Sequence, residues 1–419
     1  MVQGLRLDYL SPTIYLTDIL VILILLFWWW EKRKNPTQSS LSPSGTIRTR
    51  LKERFWVGKQ NSKKYLIITI IGGFLILNSL LAASQPVAFY KLAKIAEFSL
   101  LGFYIAKNTY TLYPLARRAQ ALLIPYTLAL AIIYSSLIAI AQFLNQASLG
   151  GPFWFLGERT FNSGTPGIAQ MVLDGHLILR PYATFSHPNV LGGFLAITLP
   201  LLIFLKPRFR FLPFILGTIA LFLTFSRSAW FVFGFSLLIY GIWFIRKNRR
   251  ELSNYWLIGL LAVFISSIVF FPTIKNLQAL TEIQPESIKY RQELNLAAVK
   301  MIKSANWRTL FGVGLGNFLV SLPEFYQEKG AVRFFQPTHN IYLLIAAEAG
   351  LGGLGLFLWF LFLTLKRRSQ YSVFSIQYSI ALGAILVLGL FDHYFYTLQQ
   401  GQLLFSLFLG LAWSFSWRT

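Results

Sequence analysis

Long runs of apolar residues dominate this chain, and short polar or basic segments separate them. A helix that crosses a bilayer needs roughly 20 predominantly apolar residues. Measured against that length, the sequence predicts eleven membrane-spanning helices, at about 14–30, 66–83, 87–106, 120–143, 188–205, 211–226, 229–245, 255–272, 340–365, 375–391 and 402–417. The predicted fold class is all-α, a polytopic transmembrane helix bundle in which residues 1–419 form a single integral membrane domain.

Composition supports this interpretation and limits the chemistry. Apolar residues make up 55% of the chain and charged residues only 13%, whereas soluble domains carry roughly 25% charged residues. The chain contains no cysteine, which excludes disulfides, a thiol nucleophile and cysteine-based metal sites.

The positive charges of the chain predict its orientation. The segment 31–65 holds ten lysines and arginines, and every further basic cluster falls on the same side of an eleven-span bundle. That side is predicted to be cytoplasmic, so 31–65 is a cytoplasmic basic linker, the N-terminus is outside and the C-terminus is inside. The net charge of +23 is then a topology signal, and no nucleic-acid partner is expected.

Two predicted outer loops, 144–187 and 273–338, are too long to be simple turns. The second has a helical pattern over Glu286–Ala305, which indicates a helix on the membrane surface or capping the bundle. Three glycines in this loop (Gly312, Gly314 and Gly316) lack the lysine and hydroxyl residue of a phosphate loop, so a tight backbone path is the preferred interpretation.

Several ionisable residues lie inside predicted spans, where charge is costly. Lys94 and Glu97 are three residues apart and can pair on one helix face; a structural pair is preferred over an ion or proton pathway. Asp18 lies near the outer end of the first span and is interpreted as a solvated or interfacial carboxylate.

A set of polar residues falls at the predicted outer ends of five segments. Its members are Arg180, His187, Asn189, Arg227, Arg291, His339, Asn340, Glu348, Asp392 and His393. Each alone can be an interfacial anchor, but together they predict an outward-facing cavity lined by guanidinium and imidazole groups.

Such a cavity suits a reaction in which a hydroxyl attacks and a phosphate leaves. Arginines bind phosphate through two parallel hydrogen bonds, and an imidazole can take a proton from a hydroxyl near neutral pH. His187, His339 and Asp392 could instead supply metal ligands, but no His-x-x-x-His or paired-Asp spacing accompanies them. We therefore expect no metal and no cofactor.

Four segments carry a family resemblance. They are Arg180–Gly193 with its His-Pro-Asn sequence, Leu223–Ser228, Trp307–Phe318 with the glycine run, and Pro337–Gly350 with its His-Asn and Glu-Ala-Gly sequences. In this order, the chain resembles the O-antigen ligase and O-antigen polymerase family of bacterial membrane glycosyltransferases.

The resemblance implies transfer or polymerisation of a glycan outside the cytoplasmic (inner) membrane, without a metal. The donor would be an undecaprenyl-diphosphate-linked glycan and the acceptor a hydroxyl of a glycan, lipid or protein. By the same resemblance His339 activates the acceptor, while Arg227, Arg291 and Arg180 bind the diphosphate. The supporting residues would be Asn340, Glu348, His187 and Asn189.

The main alternative is a transporter or flippase of an anionic lipid-linked substrate, which would use the same arginines without chemistry. Family members often have twelve spans and a cytoplasmic N-terminus, so this chain is expected to lack one N-terminal helix. The motifs are shared by ligases, polymerases and protein O-glycosylation enzymes and do not separate them.

Overall fold

The computed structural model describes residues 13–34, 66–108, 114–173, 175–247, 285–304, 306–326, 336–366 and 373–414. Within these ranges helix is the dominant structure. In chain order the helices are α1 Leu16–Lys34, α2 Leu66–Leu80, α3 Gln85–Asn108, α4 Pro114–Asn145, α5 Pro188–Thr198, α6 Pro207–Leu223, α7 Arg227–Lys247, α8 Pro285–Lys303, α9 Asn306–Phe311, α10 Phe318–Phe325, α11 Ile341–Lys366, α12 Val373–Leu388, α13 Tyr394–Thr397 and α14 Gln399–Ser414.

The predicted all-α class is confirmed at the coarse level. Each predicted span that falls in the described residues coincides with a helix, and the predicted loop helix is α8. The predicted eighth span at 255–272 and most of the basic linker at 31–65 lie outside the described residues.

Two of the described helices are long and apolar enough to cross a membrane, at Leu123–Asn145 and Ile341–Lys366. Shorter apolar helices occur at Leu66–Leu80, Pro188–Ile203, Arg227–Trp243 and Gln377–Leu388. The fifth predicted span is shorter as an α-helix than expected because Pro200 follows α5 and the chain continues as a 3₁₀-helix over Leu199–Phe204. The count of eleven spans stays a prediction.

The segment between α4 and α5 has structure that the apolar pattern does not predict. A 3₁₀-helix covers Gly151–Trp154, and strands β1 (Gln170–Leu173) and β2 (His176–Leu179) pair antiparallel with Gln170 opposite Leu179. A small core of Phe161, Leu179 and Tyr182 supports this hairpin. Short strands of four residues fall below the length at which alternation is readable in a sequence.

By contact density the chain divides into two compact units. One contains residues 105–292, 339–341 and 364–419, and we call it the site unit; the other contains 1–104, 293–338 and 342–363, and we call it the glycine-loop unit.

The site unit is held together by apolar faces of six helices. Leu195 and Leu199 pack with Ile132, Ala220 and Phe233 in one buried cluster, which joins α4, α5, α6 and α7. A second cluster joins α5 and α7 to α12 and α14 through residues that include Ile197, Val232, Ile385 and Phe408. Burial of each such side chain contributes about 1.5–3 kcal/mol, and the packing fixes the outer ends of these helices relative to one another.

In the glycine-loop unit, the backbone between α9 and α10 packs against the first turns of α11. The amide of Val313 donates to Ala347 O at 2.9 Å and that of Gly314 to Glu348 O at 2.9 Å. A Cβ on Gly312, whose φ is +74°, would lie 2.4 Å from the carbonyl carbon of Glu348. The preferred interpretation of the glycines as a tight backbone path agrees with this geometry.

The same unit contains a buried ion cluster that corrects the interpretation of Asp18. Asp18 is only 4% exposed, and its carboxylate accepts a hydrogen bond from Lys94 Nζ. Lys94 also lies 3.5 Å from Glu97 Oε2. The predicted Lys94–Glu97 pair therefore exists, but Asp18 is a third member of it rather than a solvated carboxylate. The pairing follows from cost, since an unpaired charge is expensive at this depth.

Candidate active site

Arg180 is held at the edge of the site unit by two side-chain hydrogen bonds. Its Nε donates to Thr224 O at 2.7 Å and an Nη donates to Asn189 Oδ1 at 2.6 Å. Burial lowers the pKa of Arg180 to about 10, and the positive charges of Arg291 and Arg227 act in the same direction. The guanidinium is therefore cationic at neutral pH and joins the segment before α5 to the end of α6.

The residue after His187 begins α5, and both flanking polar side chains have defined partners. His187 is the N-cap, and its Nδ1 accepts a hydrogen bond from the Asn189 amide at 3.1 Å. The Asn189 Nδ2 donates to Asp392 Oδ2 at 3.0 Å. Proline at the first helical position needs no hydrogen-bond acceptor for its nitrogen, so this start is locally favourable.

Asp392 and His393 follow α12 and face His339. The ring centroids of His339 and His393 lie 5.2 Å apart. The His393 amide donates to Asp392 Oδ1 at 2.8 Å, and His393 Nδ1 lies 2.7 Å from Thr397 Oγ1. The backbone supports this arrangement, because the Ile341 amide donates to Gly389 O at 2.8 Å and ties the start of α11 to the end of α12.

One ring nitrogen of His339 receives no hydrogen bond from the described residues. Its Nδ1 is buried and has no hydrogen-bond partner among the described residues. Burial lowers the pKa of His339 well below its usual value; the Asp392 carboxylate opposes this shift, and His393 and Arg291 add to it. The imidazole is consequently neutral at pH 7 and able to accept a proton.

Asp392 carries the negative charge of the cluster. Burial raises the pKa of its carboxyl group, but His339, His393, His187 and the hydrogen bond from Asn189 together lower it below the usual value. A buried carboxylate that accepts hydrogen bonds is stabilised in its ionised form. It can also stabilise an imidazolium formed beside it.

Arg227 and Arg291 present their side chains differently from Arg180. Both are exposed. Arg227 begins α7, directly after a turn in which Phe225 has a φ of +49°, and the Thr224 carbonyl of that turn is the one bound by Arg180. Arg291 lies on α8. Two exposed guanidinium groups, both close enough to Arg180 to lower its pKa, can bind a diphosphate.

The site unit thus brings together most of the predicted residues. His187 and Asn189 contact each other, Asn189 contacts Arg180 and Asp392, and the charges of Arg227, Arg291 and His339 act on this group. Asn340 lies between His339 and the start of α11.

Glu348 has a different environment from the one that the resemblance implies. It belongs to the glycine-loop unit, is 4% exposed, and its Oε2 accepts a hydrogen bond from the Gly316 amide at 2.8 Å. Asn78 Nδ2 also donates to the Glu348 carbonyl at 3.1 Å. In the structure the Glu348 side chain binds the backbone between α9 and α10, at Gly316. Its supporting role for His339 stays a prediction.

From the sequence, Asp392 and His393 were placed at an outer helix end and Asp392 was considered as a metal ligand, but neither was assigned a catalytic or supporting role. The dipeptide at the end of an apolar span is a signal of buried polarity. Its link to Asn189, which is 203 residues away in sequence, depends on tertiary packing and leaves no trace in local pattern.

His339, Asp392 and His393 could also hold a metal ion. One ligand atom from each lies within 4.8 Å of the others, and two imidazoles with a carboxylate form a recognised donor set. The set differs from the one considered from sequence, because His393 takes the place of His187. The neutral His339 and ionised Asp392 fit a cation as well as they fit proton transfer.

Two comparisons with known proteins agree. Residues 212–358 match the family model described as O-antigen ligase. The chain is also similar to the General O-oligosaccharyltransferase of Acinetobacter baylyi, with 24% identity over 293 residues. That similarity covers 65% of this chain and 47% of the relative, so the chain spans about half the length of that protein. The resemblance predicted from the sequence is confirmed, since residues 212–358 are similar to the O-antigen ligase family model.

Proposed function

We propose that this protein is a membrane glycosyltransferase that transfers a glycan from an undecaprenyl-diphosphate carrier to an acceptor hydroxyl on the outer side of the cytoplasmic membrane. The observation that carries the proposal is the cluster of His339, Asp392 and His393, in which the Nδ1 atom of His339 is buried. Arg291 is close enough to His339 to lower its pKa, and Arg291 and Arg227 both lower the pKa of Arg180. The match to the O-antigen ligase model supports the class of reaction.

The first part of the mechanism concerns the acceptor. His339 takes the proton of the acceptor hydroxyl as the hydroxyl oxygen forms a bond to the anomeric carbon of the donor sugar. The proton stays on the imidazole, and the ionised Asp392 beside it stabilises the imidazolium. Asn189 keeps Asp392 in place through its 3.0 Å hydrogen bond.

The second part concerns the leaving group. As the bond between the anomeric carbon and the phosphate oxygen breaks, the carrier diphosphate gains negative charge. We assign binding of that diphosphate to Arg227 and Arg291, since fixed cations stabilise the developing charge more than they stabilise the bound donor. Arg180 positions Arg227 through its hydrogen bond to the carbonyl of Thr224, in the turn that precedes α7.

A single displacement of this kind inverts the anomeric configuration, and we propose inversion. Anomer-resolved analysis of the product would contradict a single displacement if the configuration were retained.

The test of the proposed function uses purified protein, undecaprenyl-diphosphate-linked oligosaccharide and candidate acceptors. We expect release of carrier diphosphate in wild-type protein and a loss of at least roughly 100-fold in His339→Ala, since general-base catalysis contributes about 10²–10⁴-fold. His176→Ala is the matched control, because His176 lies on the exposed hairpin of the same unit. Turnover that survives in His339→Ala would remove the base from the proposal.

Metal independence is tested separately in the same assay. We propose that His339 acts by proton transfer, so turnover is expected to persist after dialysis against EDTA. Loss of turnover in EDTA and its recovery with a divalent cation would instead assign His339, Asp392 and His393 as metal ligands.

A further inference from the structure

The chain after α4 folds back along the outer side of that helix. The hydroxyl of Tyr134 donates to Leu156 O at 2.6 Å. Tyr134 lies eleven residues before the helix end at Asn145, which corresponds to about 16 Å along the axis. Long side chains on a helix point toward its N-terminus, so the Tyr134 hydroxyl does not reach back toward Asn145, and Leu156 lies beside the middle of the apolar helix.

The polar residues of this loop lie closer to the C-terminal end of α4 than Leu156 does. Gln142, close to the end of α4, donates to Glu158 Oε1 at 2.7 Å. The Glu158 carboxylate also accepts from the amides of Leu149 at 2.7 Å and Gly150 at 2.9 Å. The first charged residue after α4 is thus satisfied near the helix end, while the apolar residues before it lie deeper.

The backbone of residues 152–157 forms hydrogen bonds within the segment. The amides of Phe155, Leu156 and Gly157 donate to carbonyl groups three residues earlier, and the sequence from 119 to 157 contains no charged residue. Hydrocarbon accepts a non-helical backbone only where its polar groups find internal partners. The amides of Phe155, Leu156 and Gly157 and the carbonyl of Leu156 meet that condition.

The side chains of the same segment are large, apolar and uncovered. Trp154 is 61% exposed, Phe155 is 82% exposed and Leu156 is 55% exposed. The Trp154 and Phe155 rings contact each other edge to face, with centroids 5.0 Å apart. Three consecutive exposed apolar side chains mark a contact surface rather than a random exposure.

We propose that residues 152–156 form a wedge inserted in the outer leaflet, in which Trp154, Phe155 and Leu156 contact the acyl chains of bilayer lipids. We call this segment the outer-leaflet wedge. Acyl chains are the occupant that fits its depth beside Tyr134, its lack of charge and its internally satisfied backbone. A binding site for a water-soluble ligand would instead be expected to carry polar side chains.

The wedge is tied to the catalytic segment. Arg159, three residues after it, donates to Ser186 O at 2.7 Å, and Ser186 precedes His187. Insertion of the wedge therefore fixes the height of the His187–Asn189 segment relative to the membrane.

The natural absence of cysteine makes the test direct. Phe155→Cys and, in the same loop, the exposed Ser163→Cys are each labelled with an NBD fluorophore and placed in lipid nanodiscs. We expect nitroxide-bearing acyl chains to quench most of the fluorescence at position 155, with little quenching by aqueous iodide. The label at position 163 is expected to show the reverse pattern.

Two results would overturn the wedge. Iodide quenching at 155 equal to that at 163 would place the segment in water. Protection from both quenchers, with disulfide cross-linking between copies, would show that a second chain covers the surface. Trp154→Cys serves as a second probe where Phe155→Cys does not give a monodisperse protein, and it is expected to behave like the label at 155.

Discussion

Arg180 and Arg227 have the same side chain but lie in different environments. Arg180 uses its guanidinium to bind a carbonyl and an amide oxygen inside the protein, whereas the Arg227 side chain is exposed. The family resemblance assigns both residues to diphosphate binding. These two hydrogen bonds give Arg180 a structural role, whereas ligand binding by Arg227 is part of the proposed function.

Replacement of Arg180 by lysine is expected to destabilise the protein. Lysine keeps the charge but cannot reach both Thr224 O and Asn189 Oδ1 with one planar group, and a lost hydrogen bond to a charged group costs about 1.5–3 kcal/mol. Arg227→Lys is expected to change the free energy of unfolding by less than about 0.5 kcal/mol. Thermal unfolding of both variants in detergent measures this contrast. Equal destabilisation would mean that Arg180 has no special structural role.

His339 predicts a pH dependence of defined sign. Burial lowers its pKa in the folded protein, so below its unfolded pKa near 6.5 the unfolded chain binds more protons than the folded one. Stability must then fall as the pH falls through that range. Wild-type protein is expected to lose thermal stability between pH 6.5 and 5 more steeply than His339→Gln, measured in EDTA. Parallel curves would contradict the buried, neutral imidazole.

At the scale of elements, α11 shows how one residue sets the direction of a long helix. Gly350 interrupts the helix with a φ of +67°, and its α-carbon lies against the backbone of α9. A Cβ at this position would come within 2.2 Å of the carbonyl group of Leu310. The helix can therefore pack closely on the glycine loop only because residue 350 has no side chain.

Gly350→Ala is consequently expected to destabilise the protein by about 2 kcal/mol or more, from backbone strain and overpacking together. Gly355→Ala is the matched control on the same helix, because a Cβ there meets no heavy atom within 4 Å. Alanine at 355 is expected to be neutral or to stabilise by up to about 1 kcal/mol. The melting temperatures of the two variants test this prediction. If Gly350→Ala melts at the same temperature as the wild-type protein, the kink is not required for stability.

At the scale of the whole molecule, the predicted topology awaits a direct measurement. Lys366, Arg367 and Arg368 predict a cytoplasmic end for α11, while the loop with the hairpin is predicted to be outside. With single cysteines, Ser163→Cys should react with an impermeant maleimide in right-side-out vesicles and Ser369→Cys in inverted vesicles. The opposite pattern would invert the bundle and place the proposed active site in the cytoplasm.

The sequence determined the elements and the identity of the charged groups. Apolar runs located the long described helices because burial, in protein or in lipid, requires long uninterrupted hydrophobic stretches. They did not predict the short helices α9, α10 and α13. The order of the polar motifs also sufficed to indicate the family, and the match over 212–358 confirms that conclusion.

Only the tertiary structure decided which polar groups meet. It separated the half-buried Arg180 from the exposed Arg227, joined Asn189 to Asp392 across 203 residues, and brought Glu348 of α11 into hydrogen-bond contact with Gly316. It also showed the four-residue strands and the exposed apolar segment 152–156 beside Tyr134, which no periodicity predicts. The physical reason is that periodicity reports the face of a single element, whereas a hydrogen bond between distant segments depends on how several elements pack together.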